Sequence, residues 1–314
     1  HHNLAYVLLK QMKFKEGWEH YELRWEVSQS DISIGKKLVT SKPEWTPDNK
    51  GRVLLWSEQG IGDQLLFLSI LPDFIEKVNK LIIKVDKRLF PLLKRSLNNK
   101  NIDFISKEDY ISEMDYDFQL PFGSLAKYLR PTLKSLETSR NLKLIVNKEK
   151  SNNFRKNLSS KNYKKIVGIS WKSISKINRN RSLSLEEFIL GIYSPEICFV
   201  SLQYGDVKEE IINIKKKYGI NIYEIEEVDK FNNIDDLSAL ISSCDEVVSI
   251  ENSTLFLAGG IGIKSYILLN NKCSWYNGTN ELRSNWYQSL NFIRKEKELN
   301  WSKALKEIQE KIKN

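Results

Sequence analysis

Short unbroken apolar runs recur along this chain, separated by stretches of helical spacing, and the series is interrupted once. Runs at 53–56, 81–85, 102–105, 118–120 and 142–146 make a first set, with a helix predicted over 87–97. Runs at 166–171, 197–202, 220–223, 246–250 and 265–269 make a second, with helices predicted near 185–190, 207–218, 235–243 and 253–259. A short apolar run without polar alternation is what a parallel strand covered on both faces requires. Strands alternating with helices at this spacing build βαβ units. Between the sets, residues 148–165 are charged and rich in Asn and Ser, which puts a domain boundary there. The expected fold class is therefore α/β: two Rossmann-like doubly wound domains facing a cleft, over 29–150 and 151–314.

The ends add helices. Leu4, Ala5, Leu8 and Leu9 mark one apolar face, and Trp18, Tyr21 and Trp25 another, with residues 14–17 as the turn between. Asn3-Leu-Ala5, Phe14, Glu16-Gly17 and Tyr21 resemble one tetratricopeptide repeat, a helical hairpin. The predicted hairpin occupies 1–28. A lone hairpin cannot bury its own face, so it either packs on the next domain or ends an array. Residues 29–51, with Pro43 and Pro47, read as a linker. Residues 275–301 are rich in Trp and Tyr, and 302–312 read as a final amphipathic helix expected to pack back on the N-terminal domain.

Composition excludes some functions. A length of 314 residues suits roughly two domains. The net charge of +9 invites nucleic acid, but the basic residues are scattered rather than gathered into a stripe. No nucleic-acid partner is expected; the charge suits an anionic substrate. Cys198, Cys244 and Cys273 show no metal or redox spacing, and the first two fall in or beside apolar runs, as core residues would. This is the cysteine usage of a reducing compartment. No run approaches 18 consecutive apolar residues and no signal peptide is visible. A cytoplasmic protein without a transmembrane segment is expected.

Four strand exits carry chemistry. Trp56-Ser-Glu-Gln-Gly-Ile-Gly-Asp63 leaves the first strand. Gly60 and Gly62, flanking Ile61, permit a sharp turn and a close ligand approach, and Glu58 and Asp63 supply carboxylates. Asp63 has two readings here, a helix cap or a functional carboxylate at a ligand-binding strand exit. In the second set, 166–171 runs into Lys172, Lys176, Arg179 and Arg181, a cationic rim suited to phosphate. A third exit carries Gln203, Tyr204 and Gly205. The fourth leads from 247–250 into Glu251-Asn-Ser-Thr254, where Asn252 or Ser253 caps a helix whose first N–H groups offer an anion site. Glu251 is placed to accept from ribose hydroxyls or to serve the cap.

Taken in order, Trp56-Ser-Glu-Gln-Gly-Ile-Gly-Asp63, Gly168-Ile-Ser-Trp-Lys172, Arg181-Ser-Leu-Ser-Leu185, Ser201-Leu-Gln203, Asn252-Ser-Thr254 with Leu257-Ala-Gly259, and Trp286-Tyr287 with Arg294 resemble one family. It is the glycosyltransferase domain that follows tetratricopeptide repeats in bacterial proteins, related to the heptosyltransferases. The likeness covers essentially the whole chain. It implies a GT-B fold, acceptor side first and nucleotide-sugar side second. It also implies an inverting, metal-independent transfer from a nucleotide-diphosphate sugar, with no cofactor. On that likeness Asp63 is the general base, with Glu58 its rival, and Lys172 lies near the donor phosphates. Ser253 and Thr254 form the phosphate-binding helix start, and Asp236 matches an Asp-Thr-Ala-Ala-Leu-like segment. Relatives commonly carry His where this chain has Phe256, which points to altered donor choice or lost activity. Asp115 and Asp117 resemble the acidic metal pair of the other glycosyltransferase fold and are read instead as a strand-edge feature. The acceptor implied is a hydroxyl, with a protein side chain suggested by the repeat. The alternatives are a nucleotide-sugar epimerase or hydrolase on the same fold, or a catalytically silent scaffold.

Overall fold

The computed structural model describes residues 2–26, 36–173, 180–296 and 300–314. It divides into two units: His1–Lys143 with Ser274–Glu281, and Leu144–Cys273 with Leu282–Asn314.

The first unit begins with α1 (His2–Lys10) and α2 (Phe14–Glu22), then a 3-10 turn, Leu23–Glu26. The two helices can approach because residue 17 lacks a side chain: a Cβ there would meet Leu9 Cδ2 at 2.7 Å. Phe14, Trp18 and Tyr21 are buried. The Trp18 indole donates to the carbonyl of Arg130 at 2.8 Å and lies edge-on to Trp275 at 5.3 Å. The hairpin thus buries its face within this unit rather than standing as a separate domain. Trp25, expected on the second helical face, lies in the 3-10 turn, its ring centroid 5.5 Å from that of Trp56.

The sheet follows as β1 (Arg52–Trp56), α3 (Ile61–Leu68), α4 (Leu71–Ile75), β2 (Lys80–Val85), α5 (Phe90–Ser96), β3 (Ile102–Ser106), β4 (Phe118–Pro121), α6 (Leu125–Leu129) and α7 (Leu133–Glu137). All pairings are parallel and the order is β3-β2-β1-β4. The chain winds outward from β1 to β3, then returns on the opposite side of β1. That reversal makes β1/β4 the topological switch point, where open α/β sheets bind ligands at the carboxyl ends of their strands.

Residues 142–146, expected as a closing strand, join no sheet. Leu142 N donates to Ser69 O at 3.0 Å and Leu144 N to Gly260 O at 2.8 Å. Leu142 and Leu144 are both buried without joining a sheet, which explains the run without a strand; a Cβ on Gly260 would lie 2.6 Å from Leu144 Cδ1.

The second unit comprises α8 (Lys148–Ser159), β5 (Lys165–Ser170), α9 (Leu185–Ile192), β6 (Ile197–Ser201), α10 (Lys208–Tyr218), β7 (Ile222–Tyr223), α11 (Ile234–Ser242), β8 (Glu246–Ile250), α12 (Ser253–Ile261), β9 (Ser265–Leu269), β10 (Leu290–Arg294) and α13 (Ser302–Lys313). Its six strands are parallel, ordered β10-β9-β8-β5-β6-β7. Here the switch point falls between β5 and β8.

Two expectations are corrected in this unit. The polar bridge is largely α8, capped by Asn147, whose Oδ1 accepts from Lys150 N at 3.1 Å. Ser151, Phe154 and Leu158 form a narrow buried stripe that packs on α11, so the division falls before this helix. The final helix packs on its own unit rather than on the N-terminal domain. Ala304, Leu305, Ile308 and Ile312 join the core of β5, β6 and α9, and Leu305 fills the space where Gly191 has no Cβ. Burying such a stripe stabilises by roughly 1.5–3 kcal/mol per large aliphatic side chain.

Among the described residues no helix is long and apolar enough to cross a membrane. The three cysteines are buried thiols. Burial pushes the Cys198 and Cys244 thiols up to about 11 and about 12, so neither is a ready nucleophile.

Candidate functional site

Each switch point gathers a set of polar side chains. In the first unit the loop 57–60 leaves β1 and runs into α3. Gly60 is the N-cap of α3, with φ −66° and ψ 169°. Neither Gly60 nor Gly62 has a positive φ, so the expected sharp glycine turn is not formed; any residue adopts these angles. What the glycines leave is an uncluttered first helical turn. Asp63 lies in that turn, half-buried and one turn beyond the cap, so the capping position expected for it belongs to Gly60. Its carboxylate folds back, with Oδ2 3.6 Å from where a Gly60 Cβ would be.

Gln64 fixes the loop from behind. Its Nε2 donates to Gln59 O at 2.9 Å, and its Oε1 accepts from Asp86 N, just past β2, at 3.0 Å. Burial opposes ionisation of Asp86, but the guanidinium and amide of Arg88 hold its carboxyl down at about 2. Gln119 on β4 accepts from the Trp56 indole at 2.7 Å.

Glu58 is enclosed. Its side chain is 1% exposed, and both oxygens accept from Arg24, from Nε at 2.9 Å and from Nη2 at 3.3 Å. Burial raises the Glu58 carboxyl to about 7, against the pull of Arg24. For Arg24, burial pulls the guanidinium down, but Glu58, Tyr21 and Glu22 outweigh it and hold it above its ordinary value. Glu58, the expected rival base, is thus engaged on both oxygens and closed to solvent.

A pH dependence follows. The charged groups around Glu58 are Arg24 and Glu22 from the hairpin and Asp63 from α3. The folded Glu58 carboxyl holds its proton up to about 7, against an ordinary value of 4.5. Between those values the folded state binds more protons than the unfolded one, so this group's contribution to stability falls as pH rises through about 7. The stability of wild type relative to Glu58→Gln should therefore be greater near pH 5 than near pH 8 by chemical denaturation. The opposite trend would sink the assignment.

In the second unit the β5, β6 and β8 exits are stitched together. Gln203 Oε1 accepts from Ser170 Oγ at 3.1 Å and from the amides of Trp171 and Lys172, both at 2.9 Å. Its Nε2 donates to the carbonyls of Lys172 at 3.0 Å and Tyr204 at 3.1 Å. Asn252 Nδ2 donates to Ser170 Oγ at 2.8 Å, across the switch point, and to Lys172 O at 3.4 Å. Asn252 also caps α12, its Oδ1 accepting from Thr254 N at 3.0 Å. Ser170 is the hub, fully buried. It stands inside the Gly168-Ile-Ser-Trp run, and its position one residue before a strand exit was the available signal.

The remaining residues are placed as follows. Lys172 pairs with Glu210 of α10, which also accepts from the Trp171 indole at 3.0 Å. Arg181 pairs with Glu251 at 3.0 Å, so an expected phosphate ligand and an expected ribose ligand meet each other. Ser253 is half-buried at the helix start, whereas Thr254 is fully buried with its amide on Asn252, which removes it as a surface phosphate ligand. Asp236 is tied to Lys150 of α8 at 2.5 Å and sits in the first turn of α11. Gly205 makes a left-handed turn at φ 87°, and the Tyr204 ring lies 6.4 Å from that of Phe231. Lys176 and Arg179 lie outside the described residues. Phe256 is 4% exposed and packs in the core. Among the described residues no group of three or more His, Cys, Asp or Glu side chains is placed to hold a metal ion. Asp117 instead takes Arg52 at 2.8 Å at the edge of β1, which holds its carboxyl down at about 2.

No family model matches the chain. The protein named FlbA of Caulobacter vibrioides is 30% identical over 305 residues, covering 91% of this chain and 50% of that protein. The chain therefore spans about half the length of this curated relative. Among solved structures, the ADP-heptose lipopolysaccharide heptosyltransferase II of E. coli superposes with a TM-score of 0.58 at 11% identity, over 84% of this chain and 100% of that one. A glycosyl transferase family 9 protein of Veillonella parvula gives 0.55 at 11% identity, over 78% and 86%. The iron-containing dodecameric glycosyltransferase TibC of enterotoxigenic E. coli gives 0.50 at 12%, over 87% and 75%. These likenesses establish the fold, an α/β arrangement of parallel sheets shared with the glycosyltransferases.

Proposed function

We propose that this chain is an inverting glycosyltransferase, moving a sugar from a nucleotide-diphosphate sugar to an acceptor hydroxyl without a metal. The observation that carries the reading is the pair of switch points, one bearing the half-buried carboxylate of Asp63 and the other a helix start braced by Asn252, with Lys172 at the adjoining strand exit. Asp63 takes the proton of the acceptor hydroxyl. The hydroxyl oxygen attacks the anomeric carbon as the bond to the diphosphate oxygen breaks, and the diphosphate leaves with the electron pair. Lys172 and the amide end of α12 at Ser253 take up the developing charge. Gln203 and Asn252 fix these groups in place, and Tyr204, Arg181 and Glu251 border the same strand exits. The open first turn at Gly60, Ile61 and Gly62 leaves room for an acceptor. Within this reading α1 and α2 are one tetratricopeptide-like repeat, the acceptor is a protein side chain, and the protein acts in the cytoplasm.

A scaffold without activity is the second reading, favoured by Phe256, whose burial gives no polar donor contact. One screen separates the readings. Thermal shift against UDP-, GDP-, ADP-, CMP- and dTDP-sugars identifies a donor, and product analysis then finds transferred sugar with inverted anomeric configuration. Absence of any nucleotide binding favours the scaffold. Turnover to free or epimerised sugar, with no acceptor consumed, favours a hydrolase or epimerase.

A further inference from the structure

We infer that Arg24, carried by the N-terminal hairpin, is a positioning residue for the loop that bears Asp63; the inference rests on the reading of Asp63 as base. Arg24 lies 34 positions before Glu58 and is 1% exposed. All five N–H groups of its guanidinium have partners: Nε and Nη2 on the two Glu58 oxygens, Nη2 also on Ser124 Oγ at 3.1 Å, and Nη1 on Tyr21 O and Glu22 Oε1, both at 3.1 Å. The plane is held over the rings of Tyr21 at 4.6 Å and Trp25 at 4.5 Å. Only a planar fork of five donors fits this arrangement; a lysine ammonium offers three from a single point.

The loop is gripped at successive residues. Glu58 is held by Arg24, and Gln59 donates from Nε2 to the Tyr21 hydroxyl at 2.9 Å. Gln59 O in turn accepts from Gln64, one residue past Asp63. On the far side Gly123 and Ser124, just after β4, close the cage. A Cβ on Gly123 would lie 2.6 Å from Glu58 Oε1 and 2.7 Å from Tyr21 Cε1, both fixed and buried. The hairpin, the β1 exit and the β4 exit thus meet on one ion pair at the switch point.

Stability alone is a poor reason for such a pair, because well-packed apolar residues of similar size often replace buried ion pairs at no loss or with a gain. Geometry is the better reason. A group that must meet an acceptor hydroxyl needs placement to a fraction of an ångström, and misplacement by about 1 Å can cost about 100-fold in rate. Arg24 is hydrogen-bonded to Glu58 rather than to Asp63 and acts through Glu58 on the loop.

The test uses Arg24→Lys and the double variant Arg24→Met with Glu58→Met, which exchanges the ion pair for apolar packing and keeps the test decisive if the single variant fails to fold. Transfer kinetics, nucleotide affinity and amide hydrogen exchange over residues 57–62 are measured in each. Expected are a kcat lower by about 10- to 100-fold, nucleotide affinity unchanged within about twofold, and faster exchange at 57–62 while the sheet core stays protected. A folded variant with wild-type kcat overturns the inference. If wild type itself transfers no sugar, the reading of Asp63 fails separately, and exchange alone then decides: unchanged protection of 57–62 in either folded variant overturns the positioning role.

Discussion

Replacing Asp63 with Asn should lower the turnover of sugar transfer by about 10²- to 10⁴-fold and leave nucleotide-diphosphate affinity essentially unchanged. Asn is isosteric, so any effect reports the missing proton acceptor rather than a lost shape. The helix should survive: Gly60, not Asp63, occupies the cap of α3, and an acidic residue in a first turn contributes only about 0.3–1 kcal/mol through the helix dipole. Steady-state kinetics alongside calorimetric titration with the nucleotide diphosphate separates the two terms. Because the groups proposed to hold the donor belong to the second unit, a loss of nucleotide affinity equal to the loss of turnover would show that the substitution acts through folding. Full turnover in the variant removes Asp63 as base. Glu58 could not simply take over, since both its oxygens are occupied by Arg24 and its side chain is 1% exposed.

The contrast between these two carboxylates shows what was legible in the sequence. Strands buried on both faces announce themselves as continuous apolar runs, so β1, β2, β5, β6, β8 and β9 were foreseeable within a residue or so. β10 was not, because Leu290, Phe292 and Ile293 are interrupted by Asn291 in a stretch rich in Trp and Tyr. α8 was hidden for the opposite reason: only Phe154 and Leu158 carry its apolar stripe, and the charged residues around them dominate the composition. Residues 142–146 misled because two leucines buried on a stretch of backbone that joins no sheet look, in sequence, like a strand. At the candidate site the loops could be identified, since strand exits are local. Their internal partnerships could not, because nothing local pairs Arg24 with Glu58 or Arg181 with Glu251.

Those partnerships matter most at Asn252, where two physical arguments give opposite forecasts. As an N-cap, Asp serves about as well as Asn, so Asn252→Asp should be harmless if the residue only caps α12. The Oδ1 role, accepting from Thr254 N, is indeed preserved. The Nδ2 role is not. That group donates to Ser170 Oγ and to the Lys172 carbonyl, and a carboxylate oxygen in its place would face the carbonyl with no proton between them. Residue 252 is 9% exposed and Ser170 fully buried, so water cannot readily substitute. Leaving buried polar groups unsatisfied costs about 1–3 kcal/mol, and a new negative charge at the helix start opposes the diphosphate. The expected order of nucleotide-diphosphate affinity is wild type, then Asn252→Ala, then Asn252→Asp, the last weaker than wild type by about 100-fold, from a repulsion of a few kcal/mol at a partly screened site. Asn252→Ala loses both the cap and the donors but adds no charge, whereas Asn252→Asp keeps the cap, so the gap between the two variants sets a lower bound on the electrostatic part. Calorimetric titration of all three proteins decides it: an Asn252→Asp variant that binds the nucleotide as wild type does would reduce Asn252 to a cap and remove the α12 start as a phosphate site.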